Sequence, residues 1–116
     1  MKKLNIIFII TFTILLVQCK SNYVPEYIWP DYLADWEVED HKDMAADGFE
    51  LYKKYCGECH GITHKGKDDM PNFTKDEIDA YNDAYELGDP TNHAVIYELT
   101  EKDVEYIFLF LEFRKK

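Results

Sequence analysis

The constraint that weighs most on this chain is a short one, Cys56-Gly57-Glu58-Cys59-His60. Two thiols three positions apart, followed at once by an imidazole, form a C-x-x-C-H spacing that suits covalent attachment of a haem. Each thiol can add to one vinyl group, and the next residue then puts its imidazole under the iron. The same thiols admit two other readings. A thioredoxin-like redox pair needs strand, loop and helix around it. A zinc site could be built from Cys56, Cys59, His64 and His93. The surroundings of the motif decide among the three.

The amino end reads as a targeting segment. Met1-Lys2-Lys3 supplies a positive start, and Leu4 to Val17 is an apolar run broken only by Asn5, Thr11 and Thr13. That is signal-peptide length, short of the ~20 residues that a membrane-spanning helix needs. The run closes on Leu16-Val17-Gln18-Cys19, which resembles a bacterial lipoprotein signal whose cysteine is cut free and acylated. Gln18 departs from that pattern, where Gly, Ala or Ser usually precedes the cysteine. Residues 1–18 are therefore expected to be a lipoprotein-type signal peptide and Cys19 the lipidated residue. This implies export to the periplasmic face of a Gram-negative membrane, with a lipid anchor. Ordinary cleavage nearby, or an uncleaved anchor, would export the remainder as well.

Without the signal, the chain carries 11 basic and 23 acidic groups, a net charge of −12. Nucleic acid is excluded as a partner, because its phosphates call for a Lys/Arg surface. The charge serves solubility, and it can also steer the chain towards a basic partner surface. Residues 19–44 read as an acidic, aromatic-rich tether with Pro25 and Pro30. Exposed Trp and Tyr usually find a surface, so part of this segment, around Tyr32-Leu33 and Trp36, is expected to pack on the domain. Docking to a partner is the alternative.

From about Met44 three helical signals follow. Met44, Gly48, Leu51, Tyr52 and Tyr55 fall at helical spacing, and Gly48 allows close approach by another helix. Thr74-Lys75-Asp76-Glu77 reads as a capping box; Ile78, Tyr81 and Tyr85 then share a face, with Gly88 as C-cap and Pro90 as stop. Thr100 with Asp103 starts a last helix that carries Val104, Ile107, Phe108 and Leu111 on its buried side. No stretch of this region alternates with period two for long enough to propose a sheet, so residues 45–116 read as an all-α domain. So thin a core calls for a staple such as a disulfide, metal or cofactor. A motif that ends a helix in a strand-free domain does not suit a thioredoxin-like pair, and acidic exported helical chains seldom build the four-ligand zinc site. One covalently attached haem c is the expected cofactor.

With these residues in view, 45–116 resembles a small bacterial class I (monohaem) cytochrome c. The resemblance is carried by Gly48-Phe49-Glu50-Leu51-Tyr52, Cys56 to Gly61, Pro71-Asn72-Phe73-Thr74, and Leu99-Thr100-Glu101-Lys102-Asp103-Val104 to Leu111. It implies a cytochrome c-like fold, three main helices wrapped round the haem, with the first and last crossing closely. Gly48 and Leu51/Tyr52 would then meet Ile107 and Phe110. It also implies thioethers at Cys56 and Cys59, His60 as an axial ligand, and a Pro71 carbonyl that accepts the other His60 ring N–H.

The sixth iron ligand is where the chain leaves its family. Class I cytochromes usually supply a methionine just before the last helix, and this chain has none there. His93 stands six residues before Leu99, about where that ligand belongs. Met70 is the alternative, although Pro71-Asn72-Phe73-Thr74 already matches the segment on the His60 side. Met44 lies too early, before the expected first helix, and an open site is a further alternative. His64 reads as a solvent-facing loop residue and His41 as part of the acidic linker. The expected role is a membrane-tethered electron carrier that is not an enzyme, takes no small-molecule substrate and serves redox protein partners. Two alternatives stand: a haem subunit of a larger respiratory complex, and a gas- or peroxide-reactive haem sensor if the sixth position is open.

Overall fold

A computed structural model describes residues 23–87 and 98–116. The stretch 1–18 expected to be a signal, Cys19, Gly88, Pro90 and His93 lie outside the described residues. The chain is mostly helical, in the order α1 (Asp35–Tyr55), α2 (Gly57–His60), β1 (Thr63–His64), β2 (Lys67–Asp68), α3 (Lys75–Glu86) and α4 (Glu101–Phe113). Among the described residues no helix is long and apolar enough to cross a membrane.

α1 and α4 form the largest helix interface. Ala45, Gly48, Phe49 and Tyr52 repeat at three and four residues on α1, so they make one buried stripe. α4 answers with Val104, Ile107, Phe110 and Leu111. Thr100 Oγ1 accepts from Asp103 N at 3.2 Å while Asp103 Oδ2 accepts from Thr100 N at 2.9 Å, the reciprocal capping expected. α3 starts the same way, on Thr74 and Glu77. It ends at Glu86 with Leu87 as its cap.

Gly48 is where α1 and α4 come closest, against the Tyr106 carbonyl and Phe110 Cβ; Tyr52 packs on the Phe110 ring at 5.6 Å between centroids. A Cβ built on Gly48 would collide with that backbone carbonyl, which belongs to a helix and cannot swing aside. Gly48→Ala separates two opposing effects. Alanine favours an isolated helix by ~1 kcal/mol, whereas forced separation of packed elements costs ~1–3 kcal/mol. We expect a net loss of stability in urea unfolding. A variant as stable as the parent would mean that the helices do not meet this tightly.

Two expectations are corrected. α1 begins at Asp35, well before Met44, so the break drawn between 44 and 45 falls inside a helix that contains Met44 itself. The first two turns are mostly charged and bury no residue, so they resemble linker in sequence; the buried stripe starts only at Ala45. Their start is set by charge, with Ala34 N donating to Glu37 Oε2 at 2.8 Å and Asp35 and Glu37 facing the helix dipole.

The tether also packs by other residues than those expected. Tyr32 and Trp36 are 78% and 69% exposed. The packing falls to Tyr23, Pro25, Tyr27 and Trp29, which alternate with exposed Val24, Glu26 and Ile28. Tyr23 lies 5.9 Å from Phe49, Tyr27 6.4 Å from Phe110 and Trp29 5.0 Å from Phe113, between ring centroids. This extended segment pairs with the carboxyl end: Ile28 N donates to Phe113 O, and Lys115 N to Glu26 O, each at 2.8 Å. His41, on α1 rather than in a linker, donates its Nδ1–H to the Glu37 carbonyl at 2.6 Å and sets its ring edge-on to Trp29 and Phe113.

A small hairpin is the third departure. β1 and β2 pair antiparallel, Thr63 with Asp68 and His64 with Lys67. Lys65 and Gly66 close it with φ of 51° and 76°, the two positive values that a two-residue hairpin turn of this kind requires. Strands of two residues are too short for periodicity to reveal.

Candidate functional site

α1 stops at Tyr55, where Cys56 turns the chain (φ −112°) and caps it through Cys56 N to Tyr52 O. α2 is then a single turn held by His60 N donating to Cys56 O at 2.9 Å, and Gly61 ends it with φ 84°. One helical turn brings residues i, i+3 and i+4 onto one side. Cys56, Cys59 and His60 accordingly face one cavity of about 530 Å³, within the ~300–1,000 Å³ typical of cofactor and small-molecule sites.

The remaining wall is largely apolar. α1 contributes Tyr52 and Tyr55, α3 Ile78 and Tyr81, and α4 Val104, Ile107, Phe108 and Leu111. Phe73 closes the side next to the motif, its ring edge-on to the His60 imidazole at 5.3 Å between centroids. Glu77 also reaches the cavity, with its carboxylate held ionised below the usual range by the Thr74 amide and hydroxyl. Tyr52 turns its hydroxyl away to donate to Gly61 O at 3.1 Å, and burial pushes its pKa up to about 12. It is an orienting contact, not an acid or base at neutral pH.

The thiols differ. Cys59 is exposed, whereas Cys56 is half-buried and its thiol is pushed up to about 11 by desolvation and by the neighbouring Cys59. The motif continues a long helix instead of following a strand, which does not suit a thioredoxin-like pair. Among the described residues no three His, Cys, Asp or Glu side chains gather to hold a metal ion, and His93 of the zinc alternative lies outside them. His64 is exposed on β1.

Met70 is buried in the hydrophobic core and is not part of the cavity wall. The structure therefore does not bring the alternative sixth ligand to the site, and the favoured one, His93, lies outside the described residues. The Pro71 carbonyl accepts Arg114 Nη2 at 2.9 Å. A carbonyl oxygen has two lone pairs, so this bond is compatible with a second one from His60.

Arg114 is the residue that sequence reasoning missed. It is the only arginine in the chain, 3% exposed, and the only buried charged side chain among the described residues. Nη1 donates to both Asp68 carboxylate oxygens at 2.6 Å, and Nη2 also reaches Asn72 Oδ1 at 3.4 Å. A lone arginine between apolar residues and two lysines was the available signal, since only a guanidinium bonds so many planar acceptors at once. No protein-family model, curated protein or solved structure matches this chain.

Proposed function

We propose that this chain is a membrane-tethered monohaem c-type cytochrome that carries single electrons between redox partners outside the cytoplasm. One observation carries the reading: both thiols and the imidazole of Cys56-Gly57-Glu58-Cys59-His60 line one apolar cavity enclosed by three helices. That donor set fits a haem.

When bound, the group supplies one-electron cycling of its iron. The chain's residues hold and shield it. Cys56 and Cys59 would hold it covalently and His60 would ligate its iron, while Phe73 packs against the imidazole and limits its orientations. In this reading the Pro71 carbonyl would receive the second ring N–H, which would fix the tautomer and make the ligand more basic. α4 and α3 exclude water with aliphatic and aromatic side chains, so the fold is a haem wrapped by helices. No side chain serves as acid, base or nucleophile. His93 would be the sixth ligand in this reading, favoured by its position in the sequence ahead of the last helix and by the burial of Met70 in the core. Cys19 anchors the chain by lipid, and the net charge of −12 favours partners with a basic docking face.

Protein purified from the exported fraction should carry a haem mass on the chain and titrate as a reversible one-electron couple without binding carbon monoxide. Free thiols at Cys56 and Cys59 in that material would end the reading. His93→Ala should lose the low-spin ferric spectrum; a low-spin spectrum that persists would remove His93 from the iron. Rapid carbon monoxide binding by the parent would mark an open sixth position, and gas or peroxide chemistry instead.

Exposed Tyr32 and Trp36, set among Asp31, Asp35 and Glu39, favour a second reading. In it, the same haem domain is a subunit docked into a larger respiratory complex through this aromatic strip.

A further inference from the structure

Between β2 and α3 the chain runs as a strap without regular structure, residues 69–74, and its Phe73 forms the wall behind His60. The last residues of the chain tie this strap at three successive positions, two of them through backbone carbonyls. Arg114 Nη2 donates to Pro71 O at 2.9 Å and to Asn72 Oδ1 at 3.4 Å, and Lys116 Nζ to Phe73 O at 2.8 Å. Below it, Asp68 takes both Nη1 contacts, accepts Tyr23 Oη–H at 2.8 Å and accepts Met70 N–H at 2.9 Å. The guanidinium is therefore the hub that joins the amino-terminal segment, the hairpin, the strap and α4.

We infer that Arg114 is a positioning residue for the haem centre: it locks the Pro71–Phe73 strap against His60, and its buried charge holds the reduction potential above the value the same ligands would otherwise set. The inference rests on the haem reading above. Its electrostatic part follows from sign alone. Oxidation adds a positive charge at the iron, a buried cation behind the cavity wall opposes that change, and low local permittivity strengthens the opposition. The carboxylate of Asp68 acts with the opposite sign. Arg114 and Asp68 thus form a pair whose members pull the potential in opposite directions while supporting the same piece of structure.

That opposition is the test. In the covalently loaded protein, Arg114→Gln should lower the midpoint potential and Asp68→Asn should raise it, with the double variant returning close to the parent. Mere loosening of the strap would move both single variants in the same direction. The strap itself is read by ferric electron paramagnetic resonance, whose g-values follow the imidazole plane. Lys116→Ala, at an exposed side chain, should shift or broaden them with the haem still attached. If Arg114→Gln does not accumulate, Asp68→Asn and Lys116→Ala decide. Unchanged potential and unchanged g-values in these variants, or shifts of one common sign, would overturn the inference while leaving the cytochrome reading intact. A parent protein without haem would overturn the cytochrome reading itself.

Discussion

On the haem reading, replacing Cys56 and Cys59 together by serine should leave the chain without covalent haem and without a stable fold. The first half is a matter of bonds: serine hydroxyls do not add to vinyl groups under the conditions in which thiols do, so the mass of the mature chain loses the haem increment. The second half follows from the size of the site. The cavity of about 530 Å³ is walled mainly by apolar side chains, and an occupant would take that surface out of water at ~25 cal/mol per Å². Losing that contribution weighs on a domain whose total stability is ~5–15 kcal/mol. The apolar walls from α3 and α4 must either collapse on one another or meet water. Far-ultraviolet circular dichroism should show reduced helix, and the chain should be cut rapidly by proteases. The single variants should each keep one thioether and the haem mass. A double variant that is as helical and protease-resistant as the parent would show that the core does not depend on an occupant, and that the thiols serve something else.

The part of the site that was legible in the sequence is the part whose spacing is dictated over a few residues. Cys56, Cys59 and His60 face one cavity because a single helical turn cannot place them otherwise. The caps at Thr74 and Thr100 were equally readable, since a hydroxyl and a carboxylate three residues apart satisfy each other's backbone amides locally. What sequence reading missed is set across the chain. The start of α1 depends on charges at Asp35 and Glu37 without an apolar stripe to announce it. The alternation of Tyr23, Pro25, Tyr27 and Trp29 was present, but prolines and acidic residues disguised it as a tether. Its meaning comes only from pairing with Phe113 and Lys115. The clamp on the strap joins Arg114 to acceptors more than 40 positions away, and no local pattern reports such a contact.

Truncation of that clamp should be the most damaging single substitution outside the motif. Arg114→Ala removes a guanidinium that is 3% exposed, leaves the Asp68 carboxylate without its counter-charge and with only Tyr23 and Met70 as donors, and takes the guanidinium from the Pro71 carbonyl and Asn72. Breaking a buried ion pair from one side costs ~3–5 kcal/mol. Here the lower end applies, because the Asp68 side chain is 26% exposed and can recover part of its hydration. A loss of about 3 kcal/mol should move the urea midpoint by ~1–3 M at the m-values of ~1–3 kcal/mol/M usual for small proteins. The cause can be separated from lost bulk. Arg114→Met keeps most of the apolar stem but still strands Asp68, so it should recover only part of the loss. Adding Asp68→Leu to Arg114→Met removes both charges at once, and a well-packed apolar pair in place of a buried ionic one is often neutral or stabilising. The double variant should thus be more stable than either single variant in the same denaturation series. If Arg114→Ala instead unfolds within a few tenths of a kcal/mol of the parent, the guanidinium is hydrated in solution and the strap behind His60 is held by Lys116 and Phe73 alone.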